Sequence, residues 1–430
     1  MTAALTVAIF TVAYIFIATE RVNRVAAALG GAAAMVLVGV VDAESAFFAE
    51  ETAIDWNVIF LLLGMMIIVS VLKQTGIFDY LAIWAAKRAR GRPFAVMVLL
   101  ILITAFASAF LDNVTTVLLI APVTFLVCDR LDVNPVPFLI AEVLASNIGG
   151  TATLIGDPPN IIIASRSGLS FNDFLLNLGP IVLLLIVVFV LMCRFLFRSA
   201  FSYDEQRVAA VMSLDERELI RDRGLLIRSG VVLALVLVGF VLHGVLGLEP
   251  SIIALLGAGL LVAVSGLDAD DYLEDVDWST LVFFMGLFIM VGGLVKAGVM
   301  DELGERLTEV VGDQYFFAAS VVLWGSAVLS AIVDNIPYVT TVAPLVEDLV
   351  AQGGGDPQAD ALWWALALGA DLGGNATAVG ASANVVILGI AARNGHPISF
   401  WTFTRYGLVV AFVTVAISWP YLWLRYYAFG

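Results

Sequence analysis

Four short clusters of polar residues interrupt long apolar stretches of the sequence, and they could bind an ion or a polar solute. Their carboxylate, amide, hydroxyl and glycine residues are Asp112, Asn113, Thr115, Thr116, Asn147, Gly149, Gly150, Thr151, Thr153, Asp157, Asn160, Asp334, Asn335, Asp371, Gly373, Gly374, Asn375, Thr377, Ser382 and Asn384. Amides and hydroxyls offer neutral donors and acceptors, and glycines let a ligand approach the backbone. Carboxylates in apolar surroundings are costly and usually handle ions or protons. The combination predicts ion-coupled binding of a solute.

Four acidic residues are the candidates for proton coupling, namely Asp112, Glu142, Asp334 and Asp371. Structural roles are the alternative for several residues of the clusters. Asp112 and Asp334 could cap the helices that follow them, and Asp157 could cap a helix opened by the next two prolines. Glu142 could equally be paired with a backbone group. The two glycine pairs could serve close helix packing.

The other residue types exclude several classes of function. With two cysteines and two histidines, a disulfide framework, a zinc site, a His-rich metal site and a Ser-His-Asp triad are not expected. The 37 acidic and 21 basic residues give a formal charge of −16, which repels phosphate and argues against a nucleic-acid partner. An intramembrane aspartyl protease using Asp112 and Asp334 is a further hypothesis, but we expect no enzyme activity, cofactor or bound metal.

The clusters must be positioned by membrane helices, because 61% of the 430 residues are apolar and 13% are charged. A soluble protein has about 25% charged residues. A helix needs about 20 apolar residues to cross the hydrocarbon core. This rule predicts an all-α polytopic membrane protein with about 10 transmembrane helices, placed at 3–19, 25–41, 54–72, 136–166, 176–197, 225–246, 250–266, 278–296, 361–392 and 403–424.

Four segments depart from simple spans. The apolar stretches 94–127 and 316–350 are too long for one span, and each carries an Asp-Asn pair near its middle. We predict that they are re-entrant hairpins of two half-length helices with these pairs at their tips. The spans 136–166 and 361–392 break in the middle into glycine and polar residues, which predicts discontinuous helices that line a site.

The two halves of the sequence repeat one unit. When the halves are aligned at a constant offset, Asp112-Asn113 matches Asp334-Asn335, and after a slip of two positions Gly149-Gly150 matches Gly373-Gly374. Each half holds five spans and one hairpin, so the second half enters the membrane inverted, as is typical of secondary transporters. The predicted domains are a first repeat at 1–198, a cytoplasmic linker at 199–224 and a second repeat at 225–430.

The distribution of basic residues predicts the orientation. The loop 73–93 and the connector 194–228 are rich in lysine and arginine, whereas the loop 42–53 has neither. Because basic loops stay in the cytoplasm, we expect a multi-pass protein of the cell membrane with both termini extracytoplasmic. The first apolar run has no basic n-region or cleavage site, so a cleavable signal peptide is not expected.

The polar clusters resemble those of a known family. LDNVTT at 111–116 and NIGGTATLIGDPPN at 147–160 are similar to the ion-transporter superfamily and, within it, to the group of ArsB, NhaD and the P protein. DNIP at 334–337 and GASANVV at 380–386 agree with this. The resemblance covers nearly the whole chain. It implies two inverted repeats around a central site, a scaffold made of the first two spans of each half, an elevator-like transport subdomain and, in many relatives, a homodimer.

The resemblance and the residues together predict a secondary active transporter that exports arsenite or antimonite as the neutral hydroxide, coupled to protons. The expected partners are this small inorganic solute, H⁺ or Na⁺, and the lipid bilayer. The alternatives are a sodium/proton antiporter of the NhaD type and an anion pathway like that of the P protein. A dicarboxylate transporter is less favoured, because Asp-Asn stands where that branch has Ser-Asn-Thr. The acidic, lysine-poor loops suggest a halophilic source.

Overall fold

The computed structural model describes residues 2–19, 21–49, 52–201, 219–311 and 314–428, and these form an all-helical protein. Most of the predicted linker 199–224 lies outside these residues. Within them the α-helices are α1 (Thr2–Thr19), α2 (Arg24–Leu37), α3 (Ala43–Phe47), α4 (Trp56–Gln74), α5 (Ile77–Arg88), α6 (Pro93–Ser108), α7 (Asn113–Leu131), α8 (Val136–Gly150), α9 (Pro158–Ser167), α10 (Phe171–Leu196), α11 (Arg223–Leu246), α12 (Pro250–Ser265), α13 (Ala269–Leu273), α14 (Trp278–Lys296), α15 (Val299–Val311), α16 (Tyr315–Ile332), α17 (Asn335–Gln352), α18 (Pro357–Gly374), α19 (Ser382–Arg393) and α20 (Phe400–Leu422).

Seven helices in the described part of the chain are long and apolar enough to cross a membrane, compared with the ten spans predicted. They are Trp56–Gln74, Asn113–Leu131, Phe171–Leu196, Arg223–Leu246, Trp278–Lys296, Tyr315–Ile332 and Phe400–Tyr427. Six more apolar helices are shorter, with at most 17 residues. The difference arises because an apolar stretch continues past the residues where a helix caps or breaks. Span 25–41, for example, is helical only over Arg24–Leu37.

The two segments predicted as hairpins each turn at their Asp-Asn pair. In the first, α6 ends at Ser108 and α7 begins at Asn113, and in the second α16 ends at Ile332 and α17 begins at Asn335. The arms have 16 to 19 residues, or about 24–29 Å at 1.5 Å per residue. They are therefore longer than the half-length helices we expected. The length of each arm could not be predicted, because the apolar sequence continues without a signal for how far each helix extends.

Both segments predicted as discontinuous helices are broken. Residues 151–157 separate α8 from α9, and residues 375–381 separate α18 from α19. The glycine pairs occupy the last positions of α8 and α18. These breaks bring non-helical backbone into the interior of the protein, where side chains must satisfy the C=O groups that a continuous helix would pair.

Four short helices were not anticipated from the apolar pattern, because they lie in connections. Two of them, α5 and α15, follow α4 and α14 at corresponding positions of the two halves and pack against α7 and α17. The loop predicted at 73–93 is therefore largely helical. The other two, α3 and α13, have five residues each and begin with capping boxes.

Three closely packed helix pairs form one set of contacts. Helix α2 packs on α14, and α12 packs on α4 and α11. Glycines allow the close crossings: a Cβ on Gly64 would lie 2.8 Å from the carbonyl carbon of Ala254, and one on Gly286 would lie 2.9 Å from that of Ala28. The helices with breaks form a second set of contacts, in which α6 packs on α8 and α16 packs on α18.

Candidate functional site

The two turns and the two helix breaks meet at one buried centre. The Asn113 amide, after the first turn, donates to Asp157 in the first break (3.0 Å) and to Asn147 at the end of α8 (3.2 Å). The Asn335 amide, after the second turn, also donates to Asp157 (3.4 Å). The Asn147 amide crosses to the second break (3.0 Å to Asn375). Residues from all four polar clusters of the sequence therefore lie in contact.

Asp157 is fully buried and receives amides from both turns. It stands at the N-cap position of α9, but its side chain does not cap that helix. Its oxygens accept instead from Asn113 and Asn335. The capping role considered for Asp157 is therefore wrong, because the amides of the two turns occupy its carboxylate. It also lies within electrostatic range of Asp371, Asp334 and Asp112.

The amides of the centre form a connected set. The Asn147 Nδ2 group donates to the Oδ1 atoms of Asn375 (3.0 Å) and Asn384 (3.1 Å), and all three residues are fully buried. Asn384 in turn donates to the carbonyls of Gly374 and Thr377, at 2.8 Å each. The Nδ2 group of Asn384 thus holds the second break, and its Oδ1 atom accepts a hydrogen bond from Asn147 in the first half.

Asn160 does the same for the first break. Its Nδ2 group donates to the carbonyls of Thr153 (3.0 Å) and Thr151 (3.4 Å). Asn160 and Asn384 stand at matching positions of the sequence repeat, in the same alignment that pairs Gly149-Gly150 with Gly373-Gly374. The Oδ1 atom of Asn160 is buried and has no hydrogen-bond donor among the described residues, in contrast to that of Asn384.

The hydroxyls among the candidate residues mostly bind backbone. Thr151 donates to the carbonyl of Asn147 (2.9 Å), Thr153 to that of Ala109, and Thr377 to that of Ala331 (2.6 Å). Each break is thereby tied to the turn of its own half. Thr116 is fully buried, and its hydroxyl has no partner in the part of the chain that the structure describes. Thr115 is partly buried and borders a small cavity beside Asp112.

The glycine pairs serve close packing. A Cβ on Gly149 would collide with the backbone of Ala105 in α6, and one on Gly373 would lie 2.5 Å from the Cα of Ala327 in α16. Gly150 and Gly374 face the opposite ends of their own breaks: a Cβ would lie 2.6 and 2.9 Å, respectively, from a glycine carbonyl oxygen there. These glycines shape the breaks, which matches the packing alternative considered from the sequence.

Asp112 and Asp334 cap the helices after the two turns. Asp112 accepts the Thr115 N–H (2.8 Å) and Asp334 accepts the Ile336 N–H (3.0 Å), as expected for the structural alternative. Their surroundings differ. Asp334 also accepts the Ser382 hydroxyl (2.5 Å) and lies 3.9 Å from Arg24. Asp112 lies near Asp277, a like charge.

Arg24 is a residue that the sequence analysis missed. It opens α2 and donates to the Ser382 hydroxyl (2.7 Å) and to that of Thr280 (3.3 Å). It therefore joins α2 and α14 to the second turn and the second break. The signal in the sequence was a single arginine at the start of an apolar helix, where it could also have been an ordinary interfacial residue.

A small cavity of about 60 Å³ lies beside the two turns. It is bordered by Asp112 and Thr115 on one side, by Asp277 and Thr280 on the other, and by Ser382. Towards one end lies Lys73, paired with Asp275 at 2.6 Å. Residues of α4, α7, α14 and α19 therefore line the same cavity.

The remaining acidic candidates, Asp371 and Glu142, have unpartnered oxygens. Asp371 is fully buried at the end of α18, beside Thr151 and Asn160, and neither of its oxygens has a hydrogen-bond partner within the described ranges. Glu142 accepts from Thr124 (2.5 Å) between α7 and α8, and its Oε2 atom is unpartnered there. Its hydrogen bond is thus to α7 and not to the four clusters.

No group of three or more His, Cys, Asp or Glu residues suited to a metal ion occurs within the described residues. Both free cysteines, Cys128 and Cys193, are buried and lie in different helices. What the centre offers is amide groups, hydroxyls and carboxylates around two helix breaks. Such a set can bind a polar solute and exchange a cation or proton for it.

Comparison with known proteins agrees with a transporter. A family model described as "Citrate transporter" (CitMHS) matches residues 14–369. An uncharacterized transporter of Mycobacterium tuberculosis is 59% identical over 421 residues, covering 98% of each chain. The P protein of Mus musculus is 34% identical over 502 residues, covering 99% of this chain and 60% of that protein.

A solved structure shows a similar fold. The crystal structure of the YdaH transporter of Alcanivorax borkumensis matches with a TM-score of 0.59 at 16% identity, covering 85% of this chain and 84% of that one. The expected resemblance to the ion-transporter superfamily is confirmed. The chain is a multi-span membrane transporter, and it belongs to the citrate transporter (CitMHS) family of that superfamily.

Proposed function

We propose that this transporter exports arsenite or antimonite as the neutral hydroxide in exchange for protons. The observation that carries the proposal is the buried centre itself, in which the amides of Asn113 and Asn335 donate to the carboxylate of Asp157 and Asn113 also donates to Asn147. A neutral trihydroxide has hydroxyl groups that can donate to carboxylate and amide oxygens and accept from amide N–H groups. It carries no charge that the aspartates would repel.

The chemistry of the centre argues against free citrate as the solute. Asp157 interacts with three other aspartates, whereas Arg24 contacts Asp334, Ser382 and Thr280 at the margin. Two like charges 4 Å apart repel by about 4 kcal/mol at an effective dielectric constant of 20. A free tricarboxylate in this centre would meet several such charges. The name of the family is therefore a weaker guide to the solute than the acidic residues of this chain.

The proposed mechanism is an elevator-like motion, in which a transport subdomain built from two inverted repeats moves against a scaffold and exchanges solute for protons. In support, bonds recur at matching positions of the two halves. Ser108 donates to the Ser146 carbonyl (2.8 Å) and Ser330 to that of Ala370 (2.6 Å). The scaffold would comprise α1, α2, α11 and α12, with α4 and α14 packed on it. The turns and breaks would move against it along the small cavity and the contacts of Arg24.

The test is transport by the purified protein in proteoliposomes. With an imposed pH gradient, arsenite should accumulate on the side from which protons leave, and collapsing the gradient should stop it. Asp157→Ala, which leaves the amides of Asn113 and Asn335 without their acceptor, should abolish accumulation. Asp270→Asn, at an exposed position in α13, is the matched control. Accumulation of citrate but not of arsenite would contradict the proposal.

The second candidate is a sodium/proton antiporter. It is favoured by the unpartnered oxygens of Asp371 and Asn160, which are acceptors without donors in the described structure. The same vesicles distinguish the two functions. Sodium-dependent dissipation of a pH gradient without arsenite movement would establish the antiporter instead. Chloride currents that persist when the aspartates of the centre are neutralised would favour an anion pathway.

A further inference from the structure

The two halves place an asparagine and an aspartate at corresponding positions of the centre. Asn147 and Asp371 match in the sequence repeat, and each lies in the last turn of the helix before a break. The side chains around them correspond as well. Asn147 binds Asn375 and Asn384, and their counterparts in the first half are Thr151 and Asn160, which lie beside Asp371.

The Nδ2 group of Asn375 has no acceptor among the described residues, but the side chain of Asn147 itself is fully bonded. Its Nδ2 group carries two N–H donors, and it uses them on the Oδ1 atoms of Asn375 and Asn384. The Nδ2 group of Asn384 donates to the carbonyls of Gly374 and Thr377. Its buried Oδ1 atom therefore depends on Asn147 for a donor. A buried acceptor without a donor is destabilising.

At the Asp371 position one hydrogen-bond donor is missing. Asn160 has spent its Nδ2 group on two carbonyls, and its Oδ1 atom has no donor among the described residues. The Thr151 hydroxyl, next to Asp371, donates to the Asn147 carbonyl. An ionised carboxylate would thus bring two more acceptors to a place that already lacks a donor. A protonated carboxyl would supply an O–H group for the Asn160 oxygen, just as the Asn147 amide supplies an N–H group for the Asn384 oxygen.

We infer that Asp371 carries the exchanged proton and holds it in this conformation. Asn147, at the matching position, has amide N–H groups that do not dissociate. This inference rests on the proton coupling of the proposed function. The proton leaves Asp371 for water, and the carboxylate that remains then accepts a hydroxyl of the solute. Proton and solute therefore exclude each other at one carboxyl group, which is the requirement for an exchanger.

The surrounding charges fit this division of roles. Asp371 acts electrostatically on Asp157, which also senses Asp334 and Asp112. Two ionised carboxylates disfavour each other, so the pair favours a single charge. Asp157 already receives two amide N–H donors, whereas Asp371 receives none from the described residues. Other charged residues lie on the helices packed against α18, and none of them forms a hydrogen bond or ion pair with Asp371. These are Glu142, Arg166, Asp173, Arg194, Glu347, Asp348, Arg405 and Arg425.

The experiment combines infrared spectroscopy with transport. Reconstituted wild-type protein with ¹³C-labelled aspartate should show the C=O band of a protonated, buried aspartic acid at neutral pH, and Asp371→Asn should lack it. The same variant should keep its fold, because an amide at position 371 reproduces the donor arrangement of Asn147. It should lose arsenite binding and accumulation driven by a pH gradient, because the amide, like the protonated carboxyl, keeps its donor where the solute would bind. Asp360→Asn, at an exposed position of the same helix, is the matched control and should behave as wild type.

The outcomes separate this inference from the proposed function. If the wild type transports no arsenite but the band disappears in Asp371→Asn, the function is wrong and the assignment of the proton stands. If the wild type shows no such band at neutral pH, the inference is overturned, whether or not the variant folds. It is also overturned if Asp371→Asn still accumulates arsenite when driven by the pH gradient.

Discussion

A carboxylate that receives two side-chain amides from different turns can hold those turns at a fixed separation. Asp157 does this for Asn113 and Asn335, and it is surrounded by protein contacts, with no exposed surface. A buried N–H donor that loses its acceptor costs about 1–3 kcal/mol. The geometry of the centre therefore depends on one residue that the sequence suggested, although the structural alternative considered for it is wrong.

Replacing Asp157 by Asn should disturb this arrangement more than its small change in shape suggests. The amide has one oxygen, so one of the two incoming N–H donors would face an NH₂ group. We expect solute affinity to fall about 5- to 150-fold, which corresponds to one buried donor left without an acceptor. Equilibrium binding to the purified protein measures it. An unchanged affinity would show that the two turns are held in place by other contacts.

Gly149 gives a prediction about packing. Its hydrogen faces the backbone of Ala105, so Gly149→Ala forces α6 and α8 apart and should destabilise the protein by about 1–3 kcal/mol. Gly259→Ala is the matched control, because nothing lies within 4 Å of a Cβ there. Alanine also favours a helix. Thermal unfolding in detergent should therefore show a lower midpoint for Gly149→Ala alone, and equal midpoints would refute close packing as the role of Gly149.

At the scale of elements, Arg24 connects two groups of helices. It lies at the start of α2, and its partners Ser382 and Asp334 belong to the second break and the second turn. The arginine side chain is 32% exposed and that of Asp334 is 17% exposed, so solvent weakens their attraction. The hydrogen bond to Ser382 adds to it. A boundary held this weakly suits two parts that must separate in each transport cycle.

A double-mutant cycle tests this contact. Arg24→Gln and Asp334→Asn, alone and together, should give a coupling energy of about 1 kcal/mol in thermal stability. The exposed pair Arg306 and Glu302, which is internal to one helix, is the reference and should couple by about 0.3–0.5 kcal/mol. A coupling near zero for the first pair would mean that Arg24 does not hold Asp334 in the folded protein.

At the scale of the whole molecule, labelling from one side of the membrane tests the orientation. The native cysteines Cys128 and Cys193 are buried, so the background should be low. With both termini outside, Glu44→Cys in α3 should react with an impermeant maleimide added to intact cells, because Glu44 is exposed. Arg88→Cys, exposed at the end of α5, should react only after permeabilisation. The reverse pattern would place the termini in the cytoplasm.

Much of the fold could be predicted from composition and periodicity. The helical class, the two turns at Asp-Asn and the two breaks follow from polar residues in apolar sequence, because such residues need a special environment. The number and length of the spans could not, since apolar residues continue beyond α2 and through the arms of the turns. The short helices α5 and α15 could not either, because their sequences lie in the connections between apolar stretches.

Most residues of the centre could be predicted from the sequence, but the hydrogen bonds between them could not. The sequence offered the four clusters as one site, but not that Asn147 would reach Asn375 and Asn384, nor that Arg24 would contact Asp334. These contacts join residues from opposite halves of the chain, and only the packing of the two halves determines them. The repeat carries part of that information, because it pairs positions that occupy like surroundings.

The close crossings at Gly149 and Gly373 have a consequence for selectivity. Each break is seated against a neighbouring helix without room for a methyl group, so its walls cannot yield to fit a larger guest. Recognition by rigid walls discriminates by size and shape at little cost in conformational entropy. The protein should therefore bind and transport a small solute and exclude analogues that are larger by even one methyl group.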